Sequence, residues 1–213
     1  ADVEGITENM CYGYAGDFEV PYVEDCGLLN EPKATVTYAY EGEYSGAIVV
    51  PDEVVYNNKT YKVTSIEERV FAGHPITSLS ITNNITYVPE LNLYGCYDLT
   101  QLKVHADLID NISNLSTINI EELYVTGGYI DWLNKADYPS LKVLDLSATE
   151  NYDLPYGFFK GEEYDYNYEG FAGLRKLVLP NNLNTIYNRQ FRELWSLEEI
   201  VIPDGVTEIP EAA

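Results

Sequence analysis

The chain has 213 residues, 46% of them hydrophobic, and carries 12 Lys and Arg against 35 Asp and Glu, a formal charge of −23. Such a charge, with no basic patch to offset it, argues against nucleic acid and against anionic membranes as partners. The acids are interleaved with Val, Ile, Leu and Tyr, which argues against disorder, and no apolar run is long enough to span a bilayer.

The chain does not begin with Met and shows no signal peptide, so it reads as a mature or trimmed product. Residues 1–33 form a loop-rich extension that holds Cys11 and Cys26. Those two thiols can bridge in an oxidising compartment and stay reduced otherwise; both readings stand. "KATVTYAY", from Lys33, alternates as a strand does, and "GAIVVPDEVVYNNKTYKV", from Gly46, reads as short strands with a turn at Asn57–Asn58. Residues 1–60 are thus an N-terminal extension and β-rich cap, covering the exposed edge of the first coil of a repeat array.

From residue 61 to 213 the chain repeats itself. The pattern L-x-x-L-x-L occurs as "ITSLSI" from Ile76, "LTQLKV" from Leu99, "IEELYV" from Ile120, "LKVLDL" from Leu141, "LRKLVL" from Leu174 and "LEEIVI" from Leu197. The central residues Leu79, Leu102, Leu123, Leu144, Leu177 and Ile200 are spaced by 23, 21, 21, 33 and 23. A second phrase, V-x-x-I, places a bulky apolar residue five positions on: Ile66 to Phe71, Val88 to Leu93, Leu154 to Phe159 and Ile186 to Phe191. Asn-Asn, Pro-Asn-Asn and Pro-Asp-Gly between the phrases are turn chemistry. Each L-x-x-L-x-L supplies one short parallel strand, and the second phrase turns the corner back to the same core. One coil cannot bury its own apolar face, but stacked coils can, so the array is about six copies of a solenoid. Copies between Leu108 and Ser147 lack the second phrase, which predicts an irregular convex side there. The long spacing before Leu177 marks an insertion near residues 160–170, and the last copy ends at Ala213, one residue before its own apolar slot. Cys96, without an obvious mate, reads as a small buried hydrophobe.

The phrases "YKVTSIEERVFAGHPITSLSI" and "SLEEIVIPDGVTEIPEAA" resemble the leucine-rich repeats of the BspA-like family, surface and secreted proteins common in Bacteroidetes. The resemblance covers about residues 34–213. It implies an α/β leucine-rich repeat solenoid, right-handed, with a parallel β-sheet on one face and an irregular convex side. It also implies an extracellular or cell-surface module for binding and adhesion to a host protein or glycan, with a lipid anchor on a removed N-terminal segment as one form of attachment. A structural spacer within a longer surface protein and a glycan-processing hydrolase are the alternatives. The protomer is expected to be a monomer or to associate weakly end to end.

Little in the chain suggests catalysis. There is no phosphate-cradling loop and no nucleophile elbow, and His74 and His105 are not spaced as a metal pair, so no enzyme activity is expected. Strand alternation instead predicts an outward face with rows Ser80, Lys103, Tyr124, Asp145, Val178, Val201 and Ser78, Gln101, Glu122, Val143, Lys176, Glu199, and a third row Thr82, His105, Thr126, Ser147, Pro180, Pro203. Six strands at about 4.8 Å make it roughly 24 Å long, suited to a protein segment or glycan. Its centre, with Lys103, His105, Glu122, Tyr124 and Asp145, is the expected ligand surface, together with Tyr164, Tyr166 and Tyr168 of the insertion. In "DYNYEG", Asp165, Asn167 and Glu169 place oxygen ligands at alternate positions before a glycine, as a Ca²⁺ loop does. The match fails where Lys176 occupies the place of the closing acid, and a solvated acidic loop is the other reading. No other cofactor is expected.

Overall fold

A computed structural model describes residues 12–15, 18–21, 33–38, 43–159, 171–211 and 213. Its strands, in chain order, are β1 Tyr12–Ala15, β2 Phe18–Pro21, β3 Lys33–Val36, β4 Gly46–Val49, β5 Glu53–Tyr56, β6 Lys59–Ile66, β7 Ile76–Ser80, β8 Leu91–Asn92, β9 Gln101–His105, β10 Ile112–Ser113, β11 Glu122–Thr126, β12 Val143–Ala148, β13 Lys176–Val178 and β14 Glu199–Val201. The main sheet has seven strands in the order β14-β13-β12-β11-β9-β7-β4, every neighbouring pair parallel. Apart from β4, each carries one L-x-x-L-x-L phrase, and the strands lie side by side in sequence order.

Register follows the phrase. Leu79, Leu102, Leu123, Leu144, Leu177 and Ile200 are directly paired along the sheet. The residue before each strand extends the ladder in the same way: the N–H of Glu121, Lys142, Arg175 and Glu198 donates to the carbonyl of Thr100, Glu121, Lys142 and Arg175, each at 2.8 Å. Leu102, Leu123, Leu144 and Leu177 are fully buried, whereas Ile48 on β4 and Ile200 on β14 are only partly covered, each having a neighbouring coil on one side. The corner residues Phe71, Leu93 and Phe159 return to this same core, and Phe159 meets Phe191 of the next corner at 5.9 Å between ring centres.

A second sheet, β1-β2-β3-β6-β5, holds most of the chain's first part, whereas β4, from the segment expected to lie in the cap, is the edge strand of the main sheet. Strands β5 and β6 form an antiparallel hairpin closed by Asn57 and Asn58, at φ +47° and +60°. Two residues at positive φ give the tight turn whose twist matches a hairpin, and Asn tolerates that region. Tyr44 joins this part to the first coil: its ring lies edge-on to Phe71 and to His74, both at 5.4 Å. Its hydroxyl donates to the Thr37 carbonyl at 2.6 Å, and its N–H donates to His74 Nδ1 at 3.2 Å. His74, just before β7, thereby receives a backbone group from before the repeats.

The α component expected of the class is missing: among the described residues the helices are the 3₁₀ turns Ala106–Asn111, Leu115–Thr117 and Lys135–Asp137. Return segments broken by Pro89, Gly95, Pro139, Pro155 and Gly157 are too short and interrupted to nucleate an α-helix. The copies without V-x-x-I fill the space with these 3₁₀ turns, and Asn151 ties down the segment at Ile130 between two of them. The Ile130 N–H donates to Asn151 Oδ1, and Asn151 Nδ2 donates to the Ile130 carbonyl, both at 3.0 Å.

Candidate functional site

The outward face of the main sheet joins side chains from consecutive coils. Lys103 is exposed; Gln101, Glu122, Tyr124, Asp145 and Lys176 are half-buried against one another. Direct pairing sets Gln101 beside Glu122 and aligns Lys103, Tyr124 and Asp145 in one row. Glu122 Oε2 accepts from both Gln101 Nε2 and the Tyr124 hydroxyl, each at 2.8 Å. Burial raises the Tyr124 phenol above its ordinary value, and the Glu122 carboxylate raises it further. Asp145 Oδ1 accepts the Ser147 N–H at 2.8 Å, and Lys176 Nζ pairs with Glu199 Oε1 at 2.8 Å. The face is therefore an ordered hydrogen-bonded surface with phenol, carboxylate and ammonium groups in reach of one partner.

His105 does not belong to it. In the third predicted row Thr82, His105, Thr126 and Pro180 are buried, and Ser147 and Pro203 are half-buried. Alternation holds only while a strand continues, and β9 ends at His105, which caps the 3₁₀ turn by accepting the Asp107 N–H on Nδ1 at 3.2 Å. Gly127 then lies on the imidazole: a Cβ there would stand 2.3 Å from Nε2. Thr126 donates to Asn83 Oδ1 at 2.6 Å, two coils away. Tyr164, Tyr166, Tyr168, Asp165, Asn167, Glu169, Cys11 and Cys26 lie outside the described residues. Among the described residues, no group of three or more His, Cys, Asp or Glu is placed to hold a metal ion.

The BspA type leucine-rich repeat region matches this chain in six copies, over residues 53–129 and 149–213. The chain belongs to the BspA-type leucine-rich repeat family. No curated protein sequence matches it. Among solved structures, a leucine rich cell surface protein from Faecalibacterium prausnitzii is 17% identical, over 92% of this chain and 44% of that one, at a TM-score of 0.37. A leucine-rich repeat protein from Bacteroides ovatus is 15% identical over 91% and 54%, at 0.35, and one from Bacteroides capillosus 16% identical over 90% and 97%, at 0.31. The chain thus spans less than half the length of the Faecalibacterium protein. No described helix is long and apolar enough to cross a membrane.

The BspA-type match breaks off between residues 129 and 149, where the V-x-x-I phrase is also missing. Two of the cavities there share Tyr138 in their walls. The smaller, about 210 Å³, is lined by Trp132, Asn134, Asp137 and Tyr138 with Asp110 from the preceding copy. The larger, about 330 Å³, has Lys135 and Phe171 in its wall. These residues were not singled out from sequence; the one signal for them was the missing phrase.

Proposed function

We propose that this chain is a cell-surface protein-binding module, and that the outward sheet face around Lys103, Glu122, Tyr124 and Asp145 carries the contact. The observation that supports it is the Gln101–Glu122–Tyr124 network, which holds a phenol and a carboxylate in place before any partner arrives. Pre-ordered side chains lose less freedom on binding, and Tyr is among the residues that anchor protein interfaces. The proposal takes the strands and their return segments as a right-handed solenoid, the hand that parallel crossovers adopt. Residues 1–60 serve as its N-terminal cap, with the Tyr164, Tyr166 and Tyr168 contact surface as a further element of the proposal.

The test is an array of extracellular proteins and glycans probed with wild type, Tyr124→Ala and Glu122→Ala. Proteins bound by wild type should bind Tyr124→Ala roughly 10- to 100-fold more weakly, with the melting temperature little changed. Unchanged binding by both variants would remove this face as the site. An array on which wild type binds nothing would leave the spacer reading in its place.

A further inference from the structure

The smaller cavity beside Tyr138 has a composition that selects its occupant. Tyr138 is 3% exposed and its hydroxyl has no hydrogen-bond partner. A buried hydroxyl left unpaired costs free energy that a ligand can recover. Asp110 and Asp137 line the same cavity, and both carboxylates act on this phenol: burial first, then Asp137 and Asp110, hold it well above its ordinary value. Trp132, half exposed, supplies an indole face, and Ile109 and Ile112 supply apolar wall. The nearby Lys135 lines the larger cavity instead and is already engaged.

We infer that this cavity is a receptor for one lysine side chain of a protein partner. An ammonium carries three N–H donors, and the cavity is lined by two carboxylates and a phenol, all able to accept. The indole face attracts a cation, and the apolar wall takes the methylene stem. The volume lies below that of pockets for drug-sized molecules and suits a single side chain. Arginine, a planar fork, matches one bidentate carboxylate, whereas two carboxylates from different segments suit the rotatable donors of an ammonium. The chain's charge of −23 also favours a basic partner surface. The cavity occupies the interval where the repeat pattern lapses, so it is built by the departure from the family pattern.

The inference rests on the protein-binding reading for why a lysine would be presented, but its test needs no partner protein, so the two can fail separately. Trp132 and Trp195 are the chain's tryptophans, and Trp195→Phe leaves Trp132 as the reporter. Nα-acetyl-lysine amide, titrated into the Trp195→Phe protein, should change its fluorescence saturably. Asp110→Asn or Asp137→Asn should weaken that response roughly two- to fivefold, and Tyr138→Phe by a smaller factor. Nα-acetyl-norleucine amide, which lacks the ammonium, should give no saturable change. Absence of any saturable response to the lysine amide, or an equal response to the norleucine compound, would overturn the inference. So would a response to neutral oligosaccharides in place of the amine, which would make this a sugar pocket.

Discussion

Gly127 and His105 show how one residue position is decided by another. Gly127 has φ +60°, and its missing Cβ is the space that the imidazole fills. Gly127→Ala combines backbone strain with a steric clash and is expected to cost about 2 kcal/mol. Differential scanning calorimetry should record a melting temperature lower by roughly 4–8 °C; no change would mean that the imidazole is not seated under this residue. From sequence, His105 falls in the outward row by alternation with Lys103. The prediction fails at that residue because the strand stops there and the side chain turns to cap the next segment. Lys103, Glu122, Tyr124 and Asp145, inside their strands, lie where alternation puts them. Other left-handed positions recur at one place in the corner: Arg69, Gly157 and Arg189, each three after the phrase's Ile or Leu, have φ of +62°, +86° and +64°. Only one of the three is Gly, so this recurrence was not legible from composition.

At the level of elements, the strand phrase works because it repeats. Leu123 sits between Leu102 and Leu144 and has no exposed surface, whereas Ile200 is paired with Leu177 on one side and partly exposed. Truncation at a site packed on both sides leaves a cavity that the neighbours cannot close. Leu123→Ala should therefore destabilise by about 2–5 kcal/mol. Ile200→Ala should cost clearly less, roughly 1–2 kcal/mol, because part of its side chain is already in water. Urea denaturation of the two variants gives the comparison, and equal losses would show that Ile200 is as enclosed as Leu123. The hairpin at Asn57–Asn58 was legible for a local reason, since two Asn between alternating residues favour the turn that closes it. The 3₁₀ turns and the Asn151–Ile130 pairing were not, because they compensate for a missing phrase and depend on what surrounds the gap.

Over the whole molecule, −23 charges on one folded chain repel each other more in the compact state than in the expanded one. The range of that repulsion falls from about 30 Å at 10 mM salt to about 8 Å at 0.15 M. The melting temperature should therefore rise between those two NaCl concentrations, and a flat or falling response would show that local ion pairs, such as Lys142–Glu121 and Lys176–Glu199, outweigh the global term.

The sequence by itself determined six strands of the parallel sheet, their order, their register and the family, because each follows from a local phrase whose spacing survives in any environment; β4, read as part of the cap, joins that sheet only in the tertiary structure. It also determined which residues of the strand interiors face outward. Only the tertiary structure decided the burial of His105, the link from Tyr44 to His74 and the cavity between Asp110, Trp132, Asp137 and Tyr138. Those depend on residues far apart in the chain meeting across neighbouring coils, and no single phrase encodes where a turn of one coil comes to rest on the next.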